Sequence, residues 1–252
     1  MKFAAADAAL AGIPYTGSRK GRFFYDFIVS NGVRHVLELG FAHGASTCYM
    51  AAALEETDGA IDTVDLDASA GFDPTIEQLG ERVGVSSIIS VHREASSYTW
   101  WLKRKIEQQT KEGVCDPLYD LVFVDGPKDW TNDGAAFFMA DKLLRPGGWM
   151  MFDDYSWTYR GHERASGFRY ERGYIFDRMS EEEFAQAHVE AIFRLLVQQH
   201  PSYSAFEVVD DTIAVARKIA ASAPARKVAL KTSLTPSYML FSALKRAKHL
   251  MR

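Results

Sequence analysis

Four side chains that could do acid–base or metal chemistry follow two apolar runs in the second half of the chain. Asp125 and Lys128 follow one run, and Asp153 and Asp154 follow the next. If both runs are parallel strands of one sheet, their carboxyl ends meet at the same edge, and the three carboxylates lie close together. Such crowding is electrostatically unfavourable unless a cation compensates it.

A divalent cation such as Mg²⁺ would resolve this crowding, because it accepts a few carboxylates and keeps waters that substrate hydroxyls can replace. A hydroxyl bound to the cation loses its proton more easily, and the cation also fixes its orientation. We predict Asp125, Asp153 and Asp154 as metal ligands, and Lys128 and Asp125 as catalytic residues, with Lys128 as the base. The alternatives are a helix cap for a lone Asp and a solvated surface position for a lone Lys.

A glycine-rich turn in the first half of the chain is the second candidate site. Gly40 and Gly44 lie between an apolar run and a helix-like segment, where backbone can approach a ligand outside the carboxyl end of a strand. The Gly-x-x-x-Gly spacing disfavours a dinucleotide, whose sites use Gly-x-Gly-x-x-Gly. Ser46 and the free N–H groups at the start of the helix could instead hold a carboxylate.

Both candidate sites depend on the elements that position them. Short apolar runs alternate with amphipathic stretches, which indicates parallel strands with crossover helices on both faces of one sheet. Strands are predicted at residues 33–39, 60–66, 87–92, 119–124 and 148–152, with a closing pair at 205–209 and 212–216. Helices are predicted at 19–30, 45–56, 74–83, 97–111, 134–144 and 180–199, and Asp210 and Asp211 form the last hairpin turn.

The glycine turn resembles the first motif of the class I S-adenosylmethionine (SAM) dependent methyltransferases, Glu/Asp-x-Gly-x-x-x-Gly after a hydrophobic strand. Here the segment runs from Glu38 to Ser46, and Asp65 matches the family's acid that accepts hydrogen bonds from the ribose hydroxyls. Ser96, in a segment similar to the one along adenine, is either an adenine contact or a helix N-cap. His43 occupies a variable position of the motif and lines the crevice. The resemblance implies SAM contacts from Glu38, Gly40, Phe41, Gly44, Ser46, Asp65, Leu66, Ala95, Ser96 and Asp125.

The acidic segments resemble the cation-dependent O-methyltransferases of the catechol and caffeoyl-CoA type and their bacterial relatives that modify sugars and macrolides. Asp-x-x-Lys-Asp appears as residues 125–129, and Gly-Gly followed by Asp-Asp appears as residues 147–148 and 153–154. The resemblance spans about residues 15–155. It implies a Rossmann-like, doubly wound α/β fold with a mostly parallel seven-stranded sheet, an antiparallel final strand and helices on both faces. It also implies Mg²⁺ or another divalent cation, with Lys128 as general base.

The sequence departs from that family at several positions, so the resemblance does not identify the methyl acceptor. Gly126 and Pro127 replace side chains that lie beside the substrate in the catechol type, so a catechol is not implied. Lys128 favours the phenol type, whereas the double Asp favours the sugar type. We therefore expect a hydroxyl, as in a vicinal diol, on a phenol, sugar or natural product. The alternatives are a metal-independent methyltransferase and a binding module or oxidoreductase on the same fold.

Two further segments are particular to this chain. Residues 155–180 are rich in aromatics and arginines, suited to stacking on a ring and pairing with an anion, and we predict a substrate lid there. Packing on a neighbouring subunit is the alternative. Within it, His162 is a second candidate base, whereas His188 is expected to be structural. Residues 1–218 are predicted to form the methyltransferase domain, and the basic segment 219–252 a helical tail.

Composition limits the remaining classes. A hydrophobic fraction of 47% and a charged fraction of 25% in 252 residues exclude a disordered chain. The basic residues after Asp211 lie outside the catalytic segments, so we expect a small-molecule acceptor and no nucleic acid, with a homodimer as an option. Docking of the tail on protein is favoured over an anionic membrane. Two cysteines and the absence of a long apolar run predict a cytoplasmic protein.

Overall fold

A seven-stranded sheet runs through the part of the chain that this computed structural model describes, residues 2–170 and 179–219. Its strands, numbered along the chain, are β1 (His35–Leu39), β2 (Ala60–Leu66), β3 (Ile89–Glu94), β4 (Tyr119–Val124), β5 (Leu144–Phe152), β6 (Tyr203–Val209) and β7 (Ile213–Lys218). The order across the sheet is β3-β2-β1-β4-β5-β7-β6. The first five strands are parallel, and β7 is antiparallel to both β5 and β6. The predicted Rossmann-like sheet with an antiparallel final strand is confirmed.

The central strands are apolar because helices cover both faces of the sheet. In β1, Leu37 and Leu39 belong to the core on one face and Val36 to the core on the other, and all three are fully buried. In β4, Val122 and Leu121 alternate in the same way. This double burial explains why these strands are mostly apolar in the sequence.

Nine helices surround the sheet in the described residues, together with shorter turns. They are α1 (Lys2–Ala9), α2 (Ser18–Asn31), α3 (Ala45–Thr57), α4 (Ile76–Val83), α5 (Tyr98–Gln109), α6 (Trp130–Leu143), α7 (Tyr159–Ser166), α8 (Glu181–Ala185) and α9 (His188–Ile192). The buried residues of α1 to α4 belong to the core on one face of the sheet, and those of α5, α6 and α9 belong to the core on the other face. A small hairpin pairs Thr110–Lys111 with Val114–Cys115.

Local signals account for several differences from the predicted elements. α6 begins four residues earlier than predicted, at Trp130, because the carboxylate of Asp129 accepts hydrogen bonds from two backbone N–H groups of its first turn. The helix predicted over 180–199 is divided into α8, α9 and a π-helical turn at Phe193–Val197. Asp210 and Asp211 both have positive φ, as a tight hairpin turn requires.

The structure describes only part of the predicted lid and of the predicted tail. Residues 171–178 of the predicted lid, and the predicted tail apart from Ile219, lie outside the described residues. The division of the chain at residue 218 therefore stays a prediction. None of the described helices combines the length and the apolar character needed to cross a bilayer.

Candidate active site

The glycine loop after β1 approaches its neighbours too closely for side chains. Gly40 has φ +94°, and a Cβ built there would lie 2.2 Å from the backbone oxygen of Asp125. Gly44 has φ +91°, and its Cβ would lie 2.4 Å from Ile76. Both conformations are costly for residues other than glycine. The loop therefore passes directly against the end of β4 before it enters α3.

Glu38 lies beneath this loop and is fully buried. Its carboxylate accepts hydrogen bonds from the hydroxyls of Ser46 and Thr47 at 2.5 Å and of Thr63 at 2.7 Å. Burial raises the pKa of Glu38 to about 7, although the three hydroxyls oppose this shift. Glu38 thus joins β1, β2 and α3, and supports the loop from below.

Asp65, at the end of β2, holds the same loop from the crevice side. One carboxylate oxygen accepts hydrogen bonds from the backbone N–H groups of Phe41, at 2.8 Å, and Ala42, at 2.7 Å. The other oxygen accepts one from Leu66 at 2.6 Å. A carboxylate oxygen can accept further bonds, so Asp65 retains capacity for a ligand in the crevice.

Aromatic rings stack beside the glycine loop. The ring of His43 lies 4.8 Å from that of Phe72 and 6.0 Å from that of Tyr15, in both cases stacked. Nδ1 of His43 lies 2.8 Å from the carbonyl oxygen of Pro74, so Nδ1 carries a proton that it donates. His43 therefore lines the crevice, as the sequence predicted, and is fixed in orientation.

The segment after β3 contains Ser96, for which a ligand contact and a helix N-cap were both considered. Ser97, one residue later than predicted, is the N-cap of α5 and accepts a hydrogen bond from the N–H of Thr99 at 3.1 Å. Ser96 is exposed and lines the crevice. The structure thus assigns capping to Ser97 and leaves Ser96 available to a ligand.

The three predicted metal ligands form an acidic cluster, Asp125, Asp153 and Asp154, at the carboxyl ends of β4 and β5. Val124 pairs with Phe152 across these strands, so the acids that follow lie side by side. One oxygen of each carboxylate lies within 4.8 Å of the others. Burial raises the pKa of Asp125 and of Asp154, in each case more than Lys128 lowers it.

Lys128 closes one side of the acidic cluster. Its ammonium makes a short contact to Asp125, donates to the carbonyl oxygen of Gly126 at 2.8 Å and lies 3.6 Å from Asp154. Burial alone would lower the pKa of Lys128, but the charges of Asp125, Asp154 and Asp153 outweigh it and raise the pKa. A base must be neutral before it accepts a proton, and these carboxylates favour the charged form.

Lys20, which sequence reasoning missed, closes the other side. It belongs to the first turn of α2, and its ammonium donates to both oxygens of Asp153, at 2.9 and 2.8 Å. Burial again opposes the charge, but Asp153 and then Asp154 outweigh it and raise the pKa of Lys20. The acidic cluster is therefore paired with two ammonium groups, one on each side.

A buried acid lies behind the segment that carries Lys128. Asp133, in α6, is 1% exposed, and its Oδ1 makes a short contact to the hydroxyl of Tyr98, whereas Oδ2 has no hydrogen-bond partner among the described residues. A Cβ on Gly126 would lie 2.3 Å from that hydroxyl and 2.4 Å from Oδ1 of Asp133. Burial raises the pKa of Asp133 to about 7. Gly126 is therefore required sterically.

One crevice of about 1080 Å³ connects the glycine loop with the acidic cluster. It is lined by most of the predicted site residues, namely Gly40, Phe41, Ser46, Asp65, Leu66, Ser96, Asp125, Lys128, Asp153 and Asp154. Glu38, Gly44 and Ala95 lie outside this lining, and the first two shape the loop instead. Lys20 and Tyr15 line it without having been predicted.

The described part of the predicted lid forms an aromatic wall of the crevice. The wall consists of Trp157, Tyr159, His162, Phe168 and Tyr170. Its rings meet edge to face, as in the 4.7 Å pair of Trp157 and Tyr159 and the 5.0 Å pair of Phe168 and Tyr170. The Tyr159 hydroxyl donates to the carbonyl oxygen of Pro127 at 2.5 Å. The wall is thereby tied to the segment that carries Lys128.

The polar groups of the predicted lid differ in where they point. Nδ1 of His162 lies 2.9 Å from the hydroxyl of Tyr170, within the aromatic wall. Arg160 pairs instead with Glu163 at 2.8 Å and makes a short contact to Glu181, away from the crevice lining. The anion-binding role considered for the arginines therefore has no support from Arg160.

His188 has the structural position that the sequence predicted. Its Nδ1 accepts a hydrogen bond from the N–H of Trp130 at 3.0 Å, and its Nε2 donates to the carbonyl oxygen of Glu183 at 2.7 Å. It is 6% exposed. His188 therefore joins α6 to α8 and takes no part in the crevice.

Residues 37–155 match the sequence profile of a family described as methyltransferase domain. The strands β2 to β5, most of β1 and the glycine loop that follows it belong to the same stretch. The predicted resemblance to the methyltransferases is confirmed over this stretch. The matched stretch includes the acidic cluster. Lys20 and the whole aromatic wall lie outside it.

Solved structures share the methyltransferase fold over most of their length. An O-methyltransferase from Bacillus cereus in complex with SAH is 22% identical, with a TM-score of 0.56 over 86% of this chain and 88% of that one. TomG from Streptomyces achromogenes, in complex with SAM, is 17% identical, with a TM-score of 0.56 over 87% and 90%. SAH-bound PaMTH1 from Podospora anserina is 14% identical, with a TM-score of 0.58 over 86% and 87%. No curated protein matches the sequence significantly.

Proposed function

We propose that this methyltransferase transfers a methyl group from SAM to a hydroxyl oxygen of a small-molecule acceptor, with a divalent cation held by the acidic cluster. The observation that carries the proposal is the continuity of the crevice from the glycine loop to the acidic cluster. Neighbours of the same fold that bind SAM or SAH support the cofactor. A methyl donor at one end and proton-handling groups at the other are what O-methylation requires.

The cofactor end offers a matching group for each polar part of SAM. The free backbone N–H groups at the start of α3 favour a carboxylate. The hydroxyl of Ser46 already donates to Glu38, so towards the crevice it acts as an acceptor, which suits an ammonium group. Asp65 suits the ribose hydroxyls, and Ser96, which lines the same crevice, is the proposed adenine contact.

The acidic cluster fits a hard cation by the chemistry of its donors. Three carboxylates each offer an oxygen within 4.8 Å of the others, and oxygen is the donor that Mg²⁺ takes. When bound there, the cation would favour ionisation of the acceptor hydroxyl and offset the carboxylate charges that hold Lys128 protonated. The proposed ligands are Asp125, Asp153 and Asp154.

The proposed chemistry is a single displacement. When bound, SAM would supply an electrophilic methyl group, and the acceptor oxygen would form its C–O bond as the C–S bond breaks, with the neutral thioether as the leaving group. Lys128, in its neutral form, takes the hydroxyl proton. The aromatic wall excludes water and stacks on the acceptor, so that its hydroxyl faces the acidic cluster.

The direct test is incubation with methyl-labelled SAM, Mg²⁺ and a panel of phenols, catechols, sugars and nucleotide sugars, with product masses read by mass spectrometry. We expect a singly methylated, labelled product whose formation stops when the metal is chelated. A control without acceptor measures background hydrolysis of SAM. Absence of SAM binding by calorimetry would reject the proposal at its first step.

A metal-independent methyltransferase is the second candidate, and the pairing of Lys20 and Lys128 with the acidic cluster favours it. Two ammonium groups already balance most of the charge of three carboxylates. In that case Lys128 would donate a hydrogen bond to the acceptor, and turnover would persist in excess chelator. The same labelled assay, run with and without EDTA, separates the two candidates.

A further inference from the structure

Lys20 reaches the acidic cluster from a distant part of the chain. Its ammonium donates to both oxygens of Asp153, which lies 133 residues later, at 2.9 and 2.8 Å. The side chain of Lys20 is 20% exposed and that of Asp153 is 5% exposed. A contact this sheltered from solvent is screened little by salt.

The ammonium of Lys20 lies where a metal cation would contact both oxygens of Asp153. Nearly equal distances to the two oxygens place Nζ between them, on the side of the carboxylate where both oxygens can bind one cation. Lys20 and the three acids of the cluster all line the crevice. A divalent cation that enters the cluster from the crevice therefore meets the Lys20 ammonium at Asp153.

We infer that Lys20 is an internal counter-ion that competes with the divalent cation for Asp153 and so sets the metal affinity of the site. The inference rests on the proposed function, because it concerns the cation that the acidic cluster is proposed to hold. Without metal, Lys20 neutralises Asp153; with metal, its ammonium withdraws from the two oxygens. The affinity is then the balance between gaining a dication and losing this ion pair.

A supporting role for Lys20 predicts the opposite sign of effect. If Lys20 only oriented Asp153 for the metal, removing it would weaken metal binding by about 10–100-fold, as for other groups behind a metal ligand. If Lys20 competes, removing its positive charge eliminates both the ion pair and the repulsion of a dication. Metal binding then becomes at least about tenfold tighter. The sign alone separates the two roles.

The experiment is calorimetric titration of the full chain with Mn²⁺ and with Mg²⁺, in the absence of SAM. We compare the wild type with Lys20→Met, and with Lys20→Gln as a second neutral variant in case the first fails to fold. Lys20→Arg keeps the charge and is expected to stay within about threefold of the wild type. Melting temperatures verify that each variant is folded.

The matched control is Lys105→Met. Lys105 is also 20% exposed and pairs with a carboxylate, Asp62, at 3.4 Å, but neither residue belongs to the crevice lining. Its loss should leave metal affinity unchanged. An equal gain in affinity for Lys105→Met would attribute the effect to net charge and overturn the inference.

The outcomes separate this inference from the proposed function. Tighter binding in the neutral Lys20 variants, including binding that the wild type lacks, supports competition. Equal or weaker binding in folded neutral variants overturns the inference and leaves the proposed function intact. Absence of binding in all variants rejects both this inference and the metal part of the proposed function, while methyl transfer in chelator shows whether the rest holds.

Discussion

At the cofactor end of the crevice, the buried carboxylate of Glu38 accepts hydrogen bonds from three hydroxyl groups, whereas at the acceptor end Asp125 and Asp153 each contact a lysine ammonium. Neutral donors stabilise the first arrangement through short, fixed contacts within β1, β2 and α3. Ammonium groups stabilise the second through charge, which a cation can replace. The difference indicates that packing fixes the geometry of the proposed cofactor end, whereas ionic interactions fix that of the proposed acceptor end.

The largest effect should come from Asp153→Asn, which removes charge at the acceptor end and leaves the cofactor end unchanged. We expect turnover to fall by about 1000-fold, because the substitution weakens the cation site and the charge that steadies the reacting oxygen. SAM affinity, measured by calorimetry, should stay within about threefold. A parallel loss of SAM affinity would mean that the two ends are not separate.

Asp65→Ala changes the proposed cofactor end and leaves the acidic cluster unchanged. It removes the acceptor of the N–H groups of Phe41 and Ala42, and the proposed partner of the ribose. SAM affinity should fall by about 100-fold, since hydrogen bonds to a charged group contribute roughly 1.5–3 kcal/mol. Turnover at saturating SAM should change little, which steady-state kinetics at varied SAM would detect. An unchanged Michaelis constant for SAM would contradict this assignment.

Glu38→Gln tests the neutral character of the cofactor end. Burial raises the pKa of Glu38 from its ordinary value of 4.5 to about 7, so the folded protein keeps a proton that the unfolded chain releases first. The contribution of Glu38 to stability is therefore present at low pH and lost as the pH rises through 7. Between pH 5 and 8 this loss amounts to about 2–3 kcal/mol of unfolding free energy.

Urea denaturation at pH 5 and pH 8 measures that loss. Glu38→Gln should show a smaller fall in unfolding free energy between the two pH values than the wild type. Glu81→Gln, at an exposed position in α4, is the matched control and should behave as the wild type. The buried carboxyl of Asp133, whose pKa is also raised to about 7, leaves part of the pH dependence in both proteins.

The smallest effect concerns the aromatic wall. Tyr170→Phe removes the hydroxyl that contacts Nδ1 of His162 at 2.9 Å and keeps the ring. The Michaelis constant for the acceptor should rise by about fivefold, the value of one neutral hydrogen bond near 1 kcal/mol. Turnover and SAM affinity should remain near the wild-type values. A large fall in turnover would instead make His162 part of the proton transfer.

The strands could be predicted because burial on both faces leaves a direct trace in the sequence. β2 and β4 have the predicted bounds, since an apolar residue stands at each end of both strands and apolar residues make up most of each strand. α7 was missed because its arginines and aromatics show no apolar stripe. The signal that could have found it is Thr158, whose hydroxyl accepts a hydrogen bond from the N–H of Gly161 and caps the helix.

The site was predictable where its residues follow strands. The acidic cluster lies at two adjacent strand ends, and parallel pairing brings such positions together. Lys20 lies on a helix near the beginning of the chain, and its contact with Asp153 depends on how α2 packs against the sheet. No local pattern marks it. The position of Glu38 beneath the loop likewise depends on Thr63, which only the pairing of β1 with β2 brings close.

The contact of Gly40 with the backbone of Asp125 has a consequence for engineering. These two residues come from different strands, yet the space between them leaves no room for a methyl group. The glycine loop and the end of β4 are therefore in direct backbone contact, with no side chain between them. A segment grafted from another protein in place of the end of β4 would therefore have to reproduce this backbone path.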